Sequence, residues 1–78
     1  YTLDELYRML YETLNKLPEN YRTVFIKSFF EGKTHTEIAE EMNLSVKSIN
    51  RYKQKTMELL RNELKEYMPL LLLLFLRA

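Results

Sequence analysis

The chain has 78 residues and a formal net charge of +1, so it is one small domain whose overall charge does not by itself indicate a nucleic-acid partner. Apolar residues make up 46% and charged residues 29%, which is far from the composition of a disordered chain. The lack of cysteine and the single histidine, His35, exclude a disulfide framework and a closed zinc site, and one glycine and two prolines argue against a many-stranded sheet or a glycine-rich phosphate loop.

The amino-terminal part of the chain predicts two helices that meet at a proline. Thr2 and Glu5 form a capping-box pattern, and leucines then recur at helical spacing: Leu3, Leu6, Leu10, Leu14 and Leu17. We expect this first helix to stop before Pro18, which suits the first turn of a second helix. Gly32 should end the second helix in the left-handed conformation, after a buried stripe of Tyr21, Val24, Phe25, Ser28 and Phe29.

A short third helix and a long fourth helix are predicted on either side of a three-residue turn. Thr34 and Glu37 form a second capping box, Asn43 suits the left-handed stop, and Ser45 can cap the helix that follows. The fourth helix is expected to run from Val46 to about Tyr67, where Pro69 bends or ends it. This arrangement is typical of a helix-turn-helix, whose second helix enters the major groove of DNA.

The fourth helix has one apolar and one cationic side when each residue is turned by 100°. The apolar stripe consists of Ile49, Tyr52, Thr56, Leu60 and Leu64, with Lys53 at its edge, so the alkyl stem of Lys53 has to lie along the neighbouring helix. The opposite side carries Lys47, Asn50, Arg51, Gln54 and Lys55, and no acid occurs between Lys47 and Lys55.

These residue types match what DNA recognition requires. Arg51 and Lys55 can meet phosphates or guanine edges, and Asn50 and Gln54 can pair with adenine. Ser45 and Lys47 at the start of the fourth helix would accommodate a phosphate, and three residues at the start of the third helix could touch the DNA backbone: Lys33, Thr34 and Thr36. A helix face of this composition is also what an ordinary solvated helix presents, so the alternative of a plain surface stays open.

No nucleophile with a partner base, no metal cluster and no phosphate loop can be read from the sequence. Glu40 and Glu41 are adjacent and therefore point about 100° apart, which makes them a poor acid–base pair. We expect no enzyme activity, no cofactor and no metal. His35 is interpreted as an exposed residue at a helix start.

Three segments resemble region 4 of bacterial sigma-70-type factors, in particular the extracytoplasmic-function (ECF) group. They are LPENYRTVF at residues 17–25, EGKTHTEIAE at residues 31–40 and NLSVKSI at residues 43–49. The resemblance covers about residues 3–65, and the leucine-rich tail after a proline is similar to ECF factors of the Bacteroidetes type. Lys53 and Thr56 depart from the family pattern, which usually has an apolar residue and an alanine there. The EIAE…LS core is shared with LuxR-type response-regulator domains, which stay an alternative.

The resemblance implies that the fourth helix reads the −35 promoter element, with Asn50, Arg51, Gln54 and Lys55 as contacts and with Lys47 and Ser48 at the groove entrance. It also implies a cytoplasmic protein that docks on the flap of the RNA polymerase β subunit and is masked by an anti-sigma factor. Region 2, which melts the −10 element in the family, is not in these residues, so this segment is not expected to initiate transcription alone.

The apolar run at residues 70–76 is too short to cross a membrane, because a bilayer core needs about twenty helical residues. It can form a fifth short helix on the leucine face of the first helix, bind a protein or a second copy of this chain, or touch a membrane surface. We therefore predict an all-α, four-helix domain with a C-terminal helix-turn-helix at residues 1–67 and a short apolar tail at residues 68–78. A second hypothesis for function is a helical protein-interaction domain that binds through this tail.

Overall fold

The computed structural model describes residues 2–77, which form five α-helices and one short 3-10 helix. The α-helices are α1 (Leu3–Leu14), α2 (Glu19–Phe29), α3 (His35–Met42), α4 (Val46–Glu63) and α5 (Met68–Arg77), with the 3-10 helix Lys65–Tyr67 between the last two. The all-helical class and the helix-turn-helix are confirmed.

The first two helices begin and end close to where the sequence predicts. The Glu5 amide donates to Thr2 Oγ1 at 3.2 Å, and α2 begins directly after Pro18. Between them, Arg22 Nη1 donates to the Leu17 carbonyl at 2.9 Å, which ties α2 to the turn that precedes it. Gly32 has the expected positive φ of 68°, although α2 itself ends earlier, at Phe29.

The larger core cluster joins four of the five helices. Its buried members are Leu6, Leu10 and Leu14 of α1, Phe25 of α2, Leu60 of α4 with Leu64 just beyond it, and Leu71 and Leu74 of α5. Around Phe25 the rings of Phe29 and Phe75 lie 4.8 and 5.4 Å away between centroids. Burying one leucine side chain completely contributes about 1.5–3 kcal/mol to the free energy of folding, so this cluster is the main source of stability in so small a chain.

The predicted fourth helix is too long, and the prediction that Pro69 ends it is wrong. The chain leaves helical geometry at Leu64, where φ is −116° and ψ is 38°, and Leu64 is buried in the core. A new helix then begins at Met68, so Pro69 lies in a first turn, where its missing N–H leaves no hydrogen bond unmade. The break turns the apolar run back onto the domain.

The run of leucines forms the fifth helix that was one of the three interpretations of the tail. Leu71 and Leu74 are buried in the larger core cluster, which also contains leucines of α1, while four other leucines remain exposed: Leu70, Leu72, Leu73 and Leu76. None of the helices within residues 2–77 is long and apolar enough to span a membrane.

Replacing Leu71 by alanine should destabilise the domain by about 2–5 kcal/mol, because Leu71 is fully buried in the larger cluster. Leu73→Ala is the matched control on the same helix: its side chain is 59% exposed, and we expect a change within about 0.5 kcal/mol. Urea unfolding followed by circular dichroism measures both. Equal, small effects would mean that α5 does not pack on the domain.

Candidate nucleic-acid interface

The turn between α3 and α4 sets the direction in which α4 leaves the rest of the domain. Asn43 has φ 56° and ψ 45°, the left-handed conformation predicted for it, and the Leu44 amide donates to the Ala39 carbonyl at 2.9 Å. Ser45 then caps α4, because its Oγ accepts from the Ser48 amide at 3.1 Å. At the other end of α3, Thr34 and Glu37 form the complete reciprocal capping box. The start and end of α3 and the start of α4 therefore lie where the sequence predicts them.

A second, smaller core cluster fixes the rotation of α4 about its axis. Val24 of α2, Ile38 and Ala39 of α3 and Ile49 of α4 are buried together, and Met42, Leu44 and Tyr52 pack around them. Ile49 is fully buried, which confirms the apolar stripe from which the opposite side of α4 was predicted. Once Ile49 points inward, the residues on the far side of the helix have to point outward.

The predicted cationic side of α4 is exposed along its first two and a half turns. All five of its residues are exposed, and we refer to them as the recognition face: Lys47, Asn50, Arg51, Gln54 and Lys55. The guanidinium carbon of Arg51 lies 5.6 Å from the centroid of the Tyr52 ring. The centroids of the Tyr52 ring and the Tyr21 ring of α2 are 4.7 Å apart. The contact between Tyr21 and Tyr52 was not predicted from the sequence, because the two residues are far apart in the chain.

The other predicted DNA contacts lie around the amino ends of α3 and α4. Ser45, Thr34 and Thr36 are exposed, and Ser48 is half-buried with its hydroxyl 3.0 Å from that of Ser45. The hydroxyls of Thr34 and Ser45 already accept cap hydrogen bonds, so each retains only its remaining hydrogen-bonding capacity for a ligand.

Lys33, the remaining predicted contact, is held in an ion-pair network. Lys33 Nζ lies 2.7 Å from Glu41 Oε2 and 3.3 Å from Glu31 Oε1, and Lys27 Nζ lies 2.7 Å from Glu41 Oε1. Hydrogen bonds from Lys27 and Lys33 lower the pKa of Glu41, and the hydrogen bond to Glu41 raises the pKa of Lys33. The network connects α2, the following loop and α3, so the charge of Lys33 is balanced within the domain.

Both departures from the family pattern are accommodated by specific contacts. Thr56 is fully buried, and its hydroxyl donates to the Tyr52 carbonyl at 2.8 Å, so no polar atom is left without a partner. Lys53 is half-buried, and its ammonium lies 4.7 Å from the centroid of the Phe29 ring, which confirms that its stem runs along the neighbouring helix. His35 was interpreted as exposed and is instead half-buried, with Nε2 3.4 Å from Lys53 Nζ.

Among the side chains that the structure describes, no group of three or more histidines, cysteines or carboxylates could hold a metal ion. Two helices joined by a tight turn, with the second presenting an exposed cationic and amide-rich side, define a helix-turn-helix DNA-binding domain.

Comparison with known proteins identifies the family. The family model for sigma-70, region 4 matches residues 7–60, so the chain belongs to that family, the part of sigma factors that binds DNA at the −35 element. The chain is similar to the RNA polymerase sigma factor SigF of two Mycobacterium tuberculosis strains, CDC 1551 / Oshkosh and ATCC 25618 / H37Rv. Each match is 38% identical over 52 residues, which is 67% of this chain and 20% of the relative. The chain thus spans about a fifth of the length of these relatives. No solved structure gives a significant match.

The turn can be tested at Asn43. Asn43→Ala should destabilise the domain by about 1 kcal/mol, because alanine disfavours positive φ, whereas Asn43→Gly should stay within about 0.5 kcal/mol of the unsubstituted protein. Thermal unfolding of both variants measures the difference. If alanine and glycine behaved alike, the backbone at Asn43 would not be left-handed.

Acid unfolding tests the network around Glu41. Because folding lowers the pKa of Glu41 below its ordinary 4.5, its contribution to stability is present above that pH and is lost as the pH falls through the lowered value. Glu41→Gln should therefore be less stable than the unsubstituted protein at pH 7, and the difference should shrink as the pH falls through the lowered pKa of Glu41, as measured by the midpoint of urea unfolding. A constant difference between the two proteins at every pH would contradict this assignment.

Proposed function

We propose that this chain recognises the −35 element of promoters as the DNA-binding part of an RNA polymerase sigma factor. The observation that carries the proposal is the recognition face, which is exposed and lies opposite the buried Ile49. The segment from Lys47 to Lys55 has four bases and no acid, so the positive charge is concentrated where a major-groove helix would need it. The domain acts by binding, with no catalytic step of its own.

The five residues of the face divide into two chemical roles. Arg51 and Lys55 are the cations that reach phosphates or guanine edges, and Lys47 with Ser45 and Ser48 lies where the helix enters the groove. Asn50 and Gln54 can each offer a donor and an acceptor to one adenine. Thr34 and Thr36 are exposed at the start of α3, the position from which the first helix of the motif crosses the backbone. Lys33 contributes there only when a phosphate competes with Glu41.

The partners implied by this role are promoter DNA and the RNA polymerase core, with the flap of the β subunit as the docking element and an anti-sigma factor as a regulator. The cytoplasm, where promoters are, is the corresponding location. A LuxR-type domain would differ by dimerising on paired half-sites, whereas a sigma module binds one site on polymerase.

The exposed leucines of α5 favour a second function, binding of a protein through an apolar surface. Leu72 is 48% exposed, Leu73 59% and Leu76 83%, and contiguous apolar surface of this kind commonly marks an interface. In this alternative α4 faces solvent without binding DNA. The protein bound through residues 68–78 is then another protein or a second copy of this chain.

DNA binding across a salt series distinguishes these functions. The affinity for a mixed-sequence fluorescent duplex should fall steeply as the salt concentration rises. In the double variant Arg51→Ala with Lys55→Ala, the slope of the logarithm of the binding constant against the logarithm of the salt concentration should become smaller by about two, one unit for each phosphate that is no longer neutralised. The matched control is Arg8→Ala with Lys65→Ala, which removes the same charge from exposed positions on other elements. Weak binding that responds equally to both double variants would contradict the DNA function and favour the protein-binding alternative.

A further inference from the structure

Lys53 is a half-buried cation without a carboxylate partner among the described residues. The other lysines that are fixed by tertiary contacts all face acids: Lys27 and Lys33 share Glu41, and Lys16 pairs with Glu63. Within residues 2–77, Lys53 Nζ lies 4.7 Å from the centroid of the Phe29 ring and 3.4 Å from His35 Nε2, and it forms no ion pair. A partly desolvated ammonium in such surroundings attracts an anion more strongly than a fully hydrated one.

Lys53 faces an open cleft that adjoins the recognition face. The cleft has a volume of about 390 Å³ and is lined by His35 of α3 and by six residues along one side of α4: Asn50, Lys53, Gln54, Met57, Glu58 and Arg61. Asn50 and Gln54 belong to both surfaces, so a duplex that lies on the recognition face has its backbone beside the cleft. Among the described residues that line the cleft, Glu58 is the one acid, and it lies about one helical turn beyond Gln54, at the end of the cleft away from Asn50.

We propose that this cleft, between the start of α3 and the middle of α4, binds one backbone phosphate of DNA, with Lys53 and His35 as its ligands. The proposal rests on the DNA-binding function proposed above and adds two residues that lie outside the recognition face.

The chemistry of the pair suits an anion. Lys53 has three N–H donors, of which the contact with Nε2 occupies one and leaves others for phosphate oxygens. Nε2 can accept in that contact or, in the other neutral tautomer, donate to a phosphate oxygen in its place. The amide groups of Asn50 and Gln54 at the same end of the cleft supply neutral donors. The ring of Phe29, 4.7 Å from the Lys53 ammonium, limits the positions that this end of the side chain can take beside the cleft.

Lys53→Met tests the proposal, because methionine keeps an apolar stem against Phe29 and removes only the charge. With the same mixed-sequence fluorescent duplex, we expect the log–log salt slope to fall by about one and the affinity to fall roughly three- to tenfold near 0.1 M salt. Lys53→Arg, which retains the charge, should keep the slope, and His35→Ala should lower affinity by a smaller factor. Arg8→Met is the control, since it removes one charge from an exposed position on α1.

The outcomes separate this proposal from the function on which it rests. If the unsubstituted chain binds DNA with a steep salt slope and Lys53→Met changes neither slope nor affinity more than Arg8→Met does, the phosphate site is wrong and the recognition face stands. If the unsubstituted chain shows no salt-dependent binding, the DNA function itself fails. Circular dichroism of each variant checks that the helices are retained. If Lys53→Met loses helical structure, the same binding measurements are made with Lys53→Gln instead.

Discussion

The structure depends on the packing of Ile49 into the small cluster with Val24, Ile38 and Ala39. This contact determines which side of α4 is buried, and because side chains on a helix have fixed angular positions, it also determines which side meets the solvent. The left-handed residue Asn43 and the Ser45 cap then set where the helix starts. An exposed cationic side is therefore a consequence of an apolar contact on the other side of the same helix.

The two core clusters have different roles. The larger one joins α1, α2, α4 and α5 and accounts for most of the buried leucine and phenylalanine surface. The smaller one holds the helix-turn-helix together. α2 contributes to both clusters, with Phe25 in the larger one and Val24 in the smaller one. It therefore fixes the helix-turn-helix relative to the leucine-rich cluster of α1 and α5. The ion pairs from Lys27 and Lys33 to Glu41 lie along the same connection between α2 and α3.

Local patterns predicted the helix-turn-helix well and the end of α4 poorly. Caps at Thr34 and Ser45 and the stop at Asn43 are local, since each depends on residues within a few positions, and all three are confirmed. The break at Leu64 does not follow from local sequence, because no glycine or proline is present there. The helix ends where Leu64 is buried and the chain turns to bring α5 into the larger core cluster. The environment of Lys53 and His35 was missed for the same reason, since 18 residues separate them.

Neighbouring residues are enough to predict the helical class, the start of each of the first four helices, the turn and the exposed polar side of α4, because spacing and capping are local properties of the chain. Three features follow from contacts between distant segments: the leucine tail packs as a helix on the domain, Lys33 pairs with Glu41, and Lys53 has no acidic partner among the described residues. These features depend on side chains from distant segments meeting in space, and the free energy of such contacts is not encoded in the periodicity of any single helix.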